Sequence, residues 1–596
     1  MCHNFLVFFD SKVKKRGSIK MSEYSKKIWK KNWDSGLTDL DPIEFETSLP
    51  EAFLDTFENY SDKLAMAFQG LEFSFGEVDK KSNKFAQMLI DNGFHKGDIV
   101  GINLPNIPEY IIALVGVLKA GCVVSGVSPL LSDIQMQYQL NDLGAGEKNV
   151  GLVTLDAIFA GRLVNIASKL PDLKLVVTTG VVGSFPKEQQ AKIKAVKDIP
   201  TGEVTPLEGK TILDFWDEVI AKYSDDPINV DISPEDVAFI QYTGGTTGPP
   251  KGAMLTHRNI VSNLKVTSAW LEWEKGDAVG LSGFPLFHAA GLGVSLSSII
   301  NAYLQVLVPD PRDTISICND LKKYKPTFLV NVPSLYQLLL NLKKFKRLDH
   351  SNVVFCMSGA APFPIESQQQ LESIVGEGKV LEVYGMTETS PVTTMNPFKN
   401  PKKLGSIGVP ILNTEMKLVD PETGEEVPVG EPGEICARGP QVMKGYYNKP
   451  EETANAIDKD GYMHTGDVGI MDEDGFFKIV DRTKDMIIVS GFKVFSAKLE
   501  DTLTKHPAIG MIATIGIPNP DRPGSEIVKA IIQINPNFVY DGDKEALKVD
   551  ITSFAKENCA PYEVPKIIEF VEELPLTTVG KVDKKVLRKT VDVPRF

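Results

Sequence analysis

The stretch Tyr242-Thr-Gly-Gly-Thr-Thr-Gly-Pro-Pro-Lys-Gly252 is the most informative part of the chain. It follows an apolar run, 237–242, that has the length and composition of a buried strand. Its glycines allow the backbone to approach a ligand closely, its threonines offer hydroxyl groups, and Lys251 offers a cation. The Walker pattern, GxxxxGK followed by Ser or Thr, does not fit it. The sequence therefore predicts a polyphosphate cradle of another kind, directly after a strand.

On the N-terminal side of this loop, helix and strand patterns alternate. Ser74-Phe-Gly-Glu77 has the form of a helix capping box, and apolar residues follow it at helical spacing as far as Gly93. Ile99 to Leu104 then predicts a strand, Pro105 to Lys119 a helix, and Cys122 to Val124 another strand. Such alternation predicts a largely parallel sheet covered by helices.

After about residue 405 the character of the chain changes. Glycine, proline and acidic residues accumulate in Pro421-Glu-Thr-Gly-Glu-Glu-Val-Pro-Val-Gly-Glu-Pro-Gly433, which predicts turns and antiparallel hairpins. A further α/β unit is expected after Lys484, up to Arg588. The predicted fold class is therefore α/β with a β-rich subdomain.

Size and composition are those of a globular protein with more than one domain. The chain has 596 residues, too many for one core, and its net charge of −14 argues against a general nucleic-acid binder. The six cysteines form no CxxC or Cys/His cluster in sequence, so neither a zinc site nor disulfides are predicted, and a cytoplasmic location is favoured.

No spanning helix is predicted, since the most apolar stretch, Tyr110 to Leu131, is broken by Lys119 and by glycines. Residues 1–20 are expected to form a disordered extension outside the fold.

The phosphate loop continues into Met254-Leu-Thr-His-Arg-Asn259. Together the two stretches closely resemble the signature of the adenylate-forming superfamily, which includes acyl-CoA synthetases, peptide-synthetase adenylation domains and firefly luciferase. The resemblance extends over about residues 45–590, with the motifs in family order. It implies a large N-terminal domain of stacked α/β sheets and a distorted β-barrel, followed by a small mobile α+β lid. We expect domains at 21–483 and 484–596, with the hinge near Lys484.

Tyr384-Gly-Met-Thr-Glu388 resembles the YGxTE motif of this superfamily. An aromatic ring beside a sharp glycine turn can stack on a purine, so Tyr384 is the candidate adenine platform. Thr387 is the candidate phosphate-binding hydroxyl. Glu388 is the candidate Mg²⁺ ligand, because carboxylates and substrate phosphates are the usual Mg²⁺ ligands.

The remaining nucleotide contacts follow from further motifs. Ser358-Gly-Ala-Ala-Pro362 resembles the loop beside the adenine, and His464-Thr-Gly-Asp467 resembles the motif whose carboxylate accepts from the ribose hydroxyls. Arg482 is a second ribose or phosphate contact. The resemblance thus places around ATP the residues Thr243, Gly244, Gly245, Thr246, Thr247, Gly248, Lys251, Gly359, Ala360, Ala361, Tyr384, Gly385, Asp467 and Arg482.

Pro575-Leu-Thr-Thr-Val-Gly-Lys581 resembles the motif that carries the catalytic lysine. Attack of a carboxylate on the α-phosphate brings negative groups together, and a cation between them stabilises the transition state. The nucleophile is already ionised near neutral pH, so no general base is needed. The run Gly580-Lys581-Val582-Asp583 departs from the more usual Gly-Lys-Ile-x-Arg but keeps the lysine.

The acyl and thiol sides are assigned from weaker patterns. Val489-Ser-Gly-Phe-Lys493 resembles the segment that meets coenzyme A, with Gly491 beside the pantetheine arm. His288 is interpreted as a pocket wall or a gate to the thiol tunnel, and Gly385 and Met386 border the same pocket. Cys356 and Cys436 are assigned to packing.

The implied reaction is activation of a small-molecule carboxylic acid with Mg²⁺ and ATP, followed by transfer of the acyl group to coenzyme A. A fatty acyl-CoA ligase is the leading hypothesis, and an aryl or coumarate-type ligase is the alternative. Loading of a separate carrier-protein thiol stays open. A non-catalytic adenylate binder is disfavoured, because every expected catalytic group is present. The sequence also leaves open the chain length of the acid, peripheral contact with a membrane, and whether the protein is a monomer or a homodimer.

Overall fold

The computed structural model describes residues 22–146, 148–196, 198–243, 249–490, 492–520, 522, 525–540, 542–576 and 582–589. The predicted extension at 1–20 lies outside them.

The described strands are numbered in chain order. The first nine are β1 (Leu64–Phe68), β2 (Leu71–Ser74), β3 (Ile99–Asn103), β4 (Val123–Gly126), β5 (Val150–Leu155), β6 (Leu173–Thr179), β7 (Thr211–Asp214), β8 (Val237–Thr243) and β9 (Lys251–Thr256). The next seven are β10 (Val279–Ser282), β11 (Leu304–Leu307), β12 (Phe328–Asn331), β13 (Phe355–Ser358), β14 (Val380–Gly385), β15 (Val392–Met395) and β16 (Val409–Pro410). The last ten are β17 (Glu415–Val419), β18 (Gly433–Arg438), β19 (Gly445–Tyr446), β20 (Met463–Met471), β21 (Phe477–Arg482), β22 (Ile487–Val489), β23 (Phe492–Val494), β24 (Ile509–Pro518), β25 (Glu526–Ile534) and β26 (Ile567–Val571).

The α-helices are numbered in the same way. Those before the phosphate loop are α1 (Leu49–Asn59), α2 (Phe75–Asp91), α3 (Pro108–Lys119), α4 (Asp133–Gly144), α5 (Asp156–Ile158), α6 (Val164–Ile166) and α7 (Lys187–Val196). Those after it are α8 (His257–Trp270), α9 (Ala289–Ile300), α10 (Thr314–Tyr324), α11 (Pro333–Leu340), α12 (Lys343–Lys346), α13 (Ile365–Val375), α14 (Pro450–Ala456), α15 (Ser496–Leu503), α16 (Lys544–Asn558) and α17 (Lys584–Lys589).

Two large sheets form the N-terminal part of the molecule. One has eight strands in the order β19-β9-β8-β4-β3-β5-β6-β7, and the other has nine in the order β16-β15-β14-β13-β12-β10-β11-β1-β2. The pairs from β4 through β7 are parallel, and every residue of β3 is buried, as expected for strands covered on both faces. This confirms the predicted α/β class.

Local sequence determines where several helices begin. Ser74 caps α2 in a complete capping box with Glu77, and Thr256 and Asn259 form another at the start of α8. The helix expected from Pro105 begins at Pro108, where proline occupies the first turn.

The distorted β-barrel is the one element of the expected fold that is wrong. Within the described residues, β17-β18-β20-β21 form an open antiparallel sheet of four strands. In the described part of the chain the outer strands do not pair with each other, and each makes one isolated bridge on its free edge, Val419 with Glu426 and Phe477 with Gly408. The antiparallel hairpins predicted after residue 405 are nevertheless present.

The C-terminal part has its own small core. The hairpin β22–β23 and the sheet β24-β25-β26 pack with α15 and α16 around Leu499, Ile532 and Ile551. This is the expected α+β lid. Among the described residues, no helix is both long and apolar enough to cross a membrane.

Candidate active site

The phosphate loop joins two antiparallel strands. β8 and β9 pair with Thr243 opposite Lys251, so the loop is the tip of a hairpin. Gly244, Gly245, Thr246, Thr247 and Gly248, which were expected to cradle phosphate, lie outside the described residues. At the base of the loop, the Tyr242 hydroxyl donates to Asp142 Oδ2 at 2.6 Å. This bond fixes the strand end from which the loop leaves.

Lys251 points to a small group of side chains that the sequence did not reveal. Its Nζ lies 2.8 Å from Glu452 Oε2 and 4.6 Å from the centre of the Tyr446 ring. The Tyr446 hydroxyl donates in turn to Glu388 Oε1 at 2.7 Å. One tyrosine thereby links the lysine of the phosphate loop to the acidic residue of the YGxTE motif.

Glu388 is a buried carboxylate in a short helical turn, Thr387–Thr389. Burial raises its pKa, while the hydrogen bond from Tyr446 and the positive charges of Lys251 and Arg482 act against that rise. A buried carboxylate oxygen is a hard ligand, and a cation beside it would offset the cost of burying its charge. The buried carboxylate of Glu388 is therefore a suitable ligand for the expected Mg²⁺ ion.

The turn before Glu388 requires glycine. A Cβ on Gly385 would lie 1.7 Å from the carbonyl oxygen of Pro391. The Met386 N–H donates to that same carbonyl at 2.9 Å, so the backbone passes close to itself here. This contact sets the direction in which Thr387 and Glu388 leave β14.

The candidate ribose site is built from two distant motifs. Asp467 and Arg482 are opposite each other in β20 and β21, and Arg482 Nε lies 3.0 Å from Asp467 Oδ1. The Tyr384 hydroxyl, 83 residues away in the chain, donates to Asp467 Oδ2 at 2.8 Å. Each carboxylate oxygen thus has a partner that holds it in place. Tyr384 is nearly buried, which raises its pKa well above the usual value.

The loop Gly359-Ala-Ala361 lies at the end of β13, against the neighbouring strand β14. A Cβ on Gly359 would come within 2.9 Å of the Val383 carbonyl oxygen, and Ala360 has a positive φ of 64°. The structure therefore brings this loop next to the strand that carries Tyr384.

His288 lies at the N-terminus of α9. Its Nδ1 accepts from the Ala290 N–H at 3.2 Å, and its ring stacks on Phe284 with centroids 6.5 Å apart. It is half-buried. Capping α9 does not prevent His288 from lining a pocket. Its assignment to the wall of the acyl pocket stays a prediction.

Lys484, the proposed hinge residue, lies two residues after the end of β21. Burial of its amine and the nearby Arg482 guanidinium lower the pKa of Lys484 to about 8, although the residue as a whole is exposed. Further along, Lys493 Nζ lies 2.9 Å from Asp420 Oδ2 and ties the hairpin β22–β23 to the large domain. Gly491 and Lys581 lie outside the described residues.

Cys436, which the sequence assigns to packing, has a histidine neighbour in the fold. Its Sγ lies 3.5 Å from Nδ1 of His464, 28 residues later in the chain. The two residues are opposite each other in β18 and β20. Spacing along the chain could not reveal this contact, because it depends on strand register.

Comparison with known proteins identifies the family. The family model described as AMP-binding enzyme matches residues 53–447, and the model described as AMP-binding enzyme C-terminal domain matches residues 498–581. The long-chain-fatty-acid–CoA ligase of Bacillus subtilis (strain 168) is 37% identical over 578 residues, covering 94% of this chain and 98% of that protein. The 4-coumarate–CoA ligase-like 1 protein of Arabidopsis thaliana is 32% identical over 565 residues, covering 92% and 95%.

Among solved structures, the chain is similar to ATP-bound MatB from Rhodopseudomonas palustris. The TM-score is 0.78 at 27% identity, and the match covers 91% of this chain and 99% of that one. The candidate nucleotide motifs thus lie on a fold that is shared with related enzymes along almost the whole chain. This chain belongs to the AMP-binding enzyme family.

Proposed function

We propose that this chain is an AMP-forming acyl-CoA ligase that activates a long-chain fatty acid. The observation that carries the proposal is the chain of contacts from Lys251 through Tyr446 to Glu388, beside the hydrogen-bonded group of Tyr384, Asp467 and Arg482. These groups would hold the phosphates and the ribose of one ATP molecule. Most of them carry charge or strong hydrogen-bonding groups, as a nucleotide requires.

In the first half-reaction, a carboxylate oxygen of the acid bonds to the α-phosphorus of ATP while the bond to the β-phosphate oxygen breaks. Pyrophosphate leaves with the electron pair, and acyl-AMP remains. Lys251 would exchange Glu452 for a phosphate oxygen, since both are anionic partners of one ammonium group. Lys581 would lie between the two reacting anions and stabilise the charge that develops there.

Glu388 would hold Mg²⁺ together with phosphate oxygens of ATP. When bound, the ion would neutralise part of the negative charge of the phosphates. Thr243 and Thr387 would donate their hydroxyl groups to the phosphates beside it, and Asp467 would accept from the ribose hydroxyls.

In the second half-reaction, the thiol sulfur of coenzyme A attacks the acyl carbon, the thiol proton is released, and AMP leaves. We propose that residues 484–596 rotate about Lys484 between the two steps, with 21–483 as the fixed domain. The ion pair of Lys493 with Asp420 would have to open during such a rotation. The Gly491 segment would then border the incoming thiol.

The choice of a fatty acid rests on relatives. The ligase of Bacillus subtilis named for long-chain fatty acids is more similar to this chain than the coumarate ligase-like protein, at 37% against 32% identity. A long-chain acid partitions into lipid, so we also propose that the enzyme is cytoplasmic and makes peripheral contact with a membrane when it takes up substrate.

The proposal is tested by pyrophosphate release from the purified full chain. Short, medium, long and aromatic acids are supplied with Mg²⁺ and ATP, with and without coenzyme A. Long-chain acids should give the highest rate, and acyl-CoA should form only with coenzyme A present. Preference for an aromatic acid would favour the coumarate-type alternative, and no pyrophosphate with any acid would refute ligase activity.

Lys581→Ala separates the two steps. We expect it to abolish acyl-AMP formation and to spare thioester formation from synthetic acyl-AMP. Lys585→Ala, another lysine of the same basic segment, is the matched control and should affect neither step. Equal loss of both half-reactions in Lys581→Ala would contradict the assigned role.

A further inference from the structure

Glu434, Cys436 and His464 form a compact cluster on two neighbouring strands. Cys436 on β18 is opposite His464 on β20, and Glu434 precedes Cys436 by two residues. His464 Nδ1 lies 3.5 Å from Cys436 Sγ and 2.9 Å from Glu434 Oε2. One ligand atom from each residue lies within 4.8 Å of the other two. The proposed acylation chemistry uses none of these three side chains.

The two distances from His464 Nδ1 are close to those expected between ligands of a tetrahedral zinc ion. With Zn–S near 2.3 Å and Zn–N near 2.0 Å, a tetrahedral angle puts sulfur and nitrogen about 3.5 Å apart, and nitrogen and carboxylate oxygen about 3.3 Å apart. The sulfur–nitrogen distance already has that value, and the nitrogen–oxygen distance of 2.9 Å requires only a small widening. Thiolate, imidazole and carboxylate are the three ligand types that zinc prefers in proteins.

The surroundings also suit a bound cation. The other ring nitrogen of His464 faces Asp458 Oδ2 at 3.8 Å, and zinc-bound histidines commonly direct that nitrogen at a carboxylate. Lys417 carries a positive charge that would repel a bound cation. Its Nζ lies 3.7 Å from the same Asp458 oxygen, and this carboxylate partly neutralises the charge of the lysine. Cys436 is fully buried, whereas the side chains of His464 and Glu434 are 29% and 12% exposed, so an ion could enter from their side.

The cluster is coupled to the nucleotide motif. The second carboxylate oxygen of Glu434 accepts from the Gly466 N–H at 3.0 Å. Gly466 immediately precedes Asp467, whose carboxylate is held by Tyr384 and Arg482. An ion on Glu434 Oε2 would leave the bond to Gly466 intact and would restrain the turn from which Asp467 projects.

We propose that Glu434, Cys436 and His464 bind one Zn²⁺ ion, with water as the fourth ligand, and that this ion fixes the β18–β20 pair beside Asp467. This site shares no residue with the Mg²⁺ site proposed at Glu388. Its thiolate and imidazole ligands also select a softer metal than Mg²⁺. Its existence does not depend on which acid the enzyme activates.

Cobalt is the probe, because Co²⁺ occupies zinc sites and a thiolate ligand gives it a near-ultraviolet charge-transfer band. The full chain, stripped with a chelator, is titrated with Co²⁺ alone. We expect the band to saturate at one equivalent and to disappear when Zn²⁺ is added. Cys436→Ala should lose the band, and Cys318→Ala, which removes another fully buried thiol, should keep it.

A second measurement guards against misfolding of the variant. Pyrophosphate release by zinc-free Cys436→Ala, assayed with Mg²⁺ and ATP, shows whether the variant is folded, since the hydrogen-bond partners of Cys436 are Glu434 and His464 and neither is assigned to ATP. Zn²⁺ should raise the unfolding midpoint of the wild-type chain, as any ligand of the folded state does, and leave that of Cys436→Ala unchanged. Absence of the band in wild type, or its persistence in Cys436→Ala, would overturn the proposal.

Discussion

The hydroxyl of Tyr384 offers a direct test of how the candidate nucleotide site is held together. Tyr384→Phe keeps the aromatic ring that is proposed to lie against adenine and removes only the donor to Asp467 Oδ2. A hydrogen bond to a charged acceptor contributes about 1.5–3 kcal/mol to stability. Arg482 still pairs with the other oxygen of Asp467, so we expect the lower part of that range, about 1.5–2 kcal/mol.

Tyr110→Phe is the matched control. Tyr110 is fully buried in α3, and its hydroxyl has no hydrogen-bond partner within the described part of the chain. Removing a buried hydroxyl that makes no bond relieves a desolvation cost, so this variant should be as stable as wild type or more stable. The same chemical change should therefore have different effects at the two positions.

Urea unfolding followed by tryptophan fluorescence measures the difference. All five tryptophans lie between residues 29 and 273, so the signal reports on the N-terminal domain, to which both tyrosines belong. In Tyr384→Phe, the Asp467 carboxylate loses one of the two groups that hold it in place. We expect KM for ATP to rise about tenfold, because 1.4 kcal/mol corresponds to a factor of ten. The value of kcat should stay nearly unchanged. Equal stability of the two variants, or a lower kcat at unchanged KM, would refute the reasoning.

Three further predictions concern the core, a turn and the hinge. Burial raises the pKa of Glu109 from 4.5 to about 7, so the folded chain retains a proton that the unfolded chain has released between these pH values. Glu109 alone should therefore lower the free energy of unfolding by up to about 3 kcal/mol as pH rises through that window, and Glu109→Gln should remove this share of the slope in urea unfolding, while Glu382, whose pKa is also raised to about 7, keeps its own share. Gly385→Ala should abolish pyrophosphate release, because its Cβ would overlap the Pro391 carbonyl, whereas Gly161→Ala, with open space around the added Cβ, should not. Lys484→Pro should retain acyl-AMP formation and lose thioester formation in separate half-reaction assays, since proline fixes the backbone at the proposed hinge.

Each of these has an outcome that would contradict it. The Glu109 account fails if wild type and Glu109→Gln show the same pH dependence of stability. Full activity of Gly385→Ala would mean that the turn can open without cost. Normal overall turnover of Lys484→Pro would remove the hinge assignment, and Lys484→Ala is the control that keeps backbone freedom.

Sequence patterns predicted those parts of the molecule that depend on neighbours in the chain. The capping box at Ser74, the strand before the phosphate loop and the hairpins after residue 405 all form as expected. Their physical causes are local: capping hydrogen bonds, apolar runs of strand length and turn-forming residues. The motif from Tyr384 to Glu388 and the TGD motif at Asp467 were recognised in the same way, by residue types at fixed spacing.

By itself, then, the sequence determined the family and the α/β class, and it supplied most of the residues that are proposed to bind ATP. Only the tertiary structure decided that the four-stranded sheet stays open, that Tyr446 joins Lys251 to Glu388, and that Cys436 faces His464. Each of these depends on which strand edges meet and in what register. Register is set by packing between segments far apart in the chain, and no local pattern encodes it.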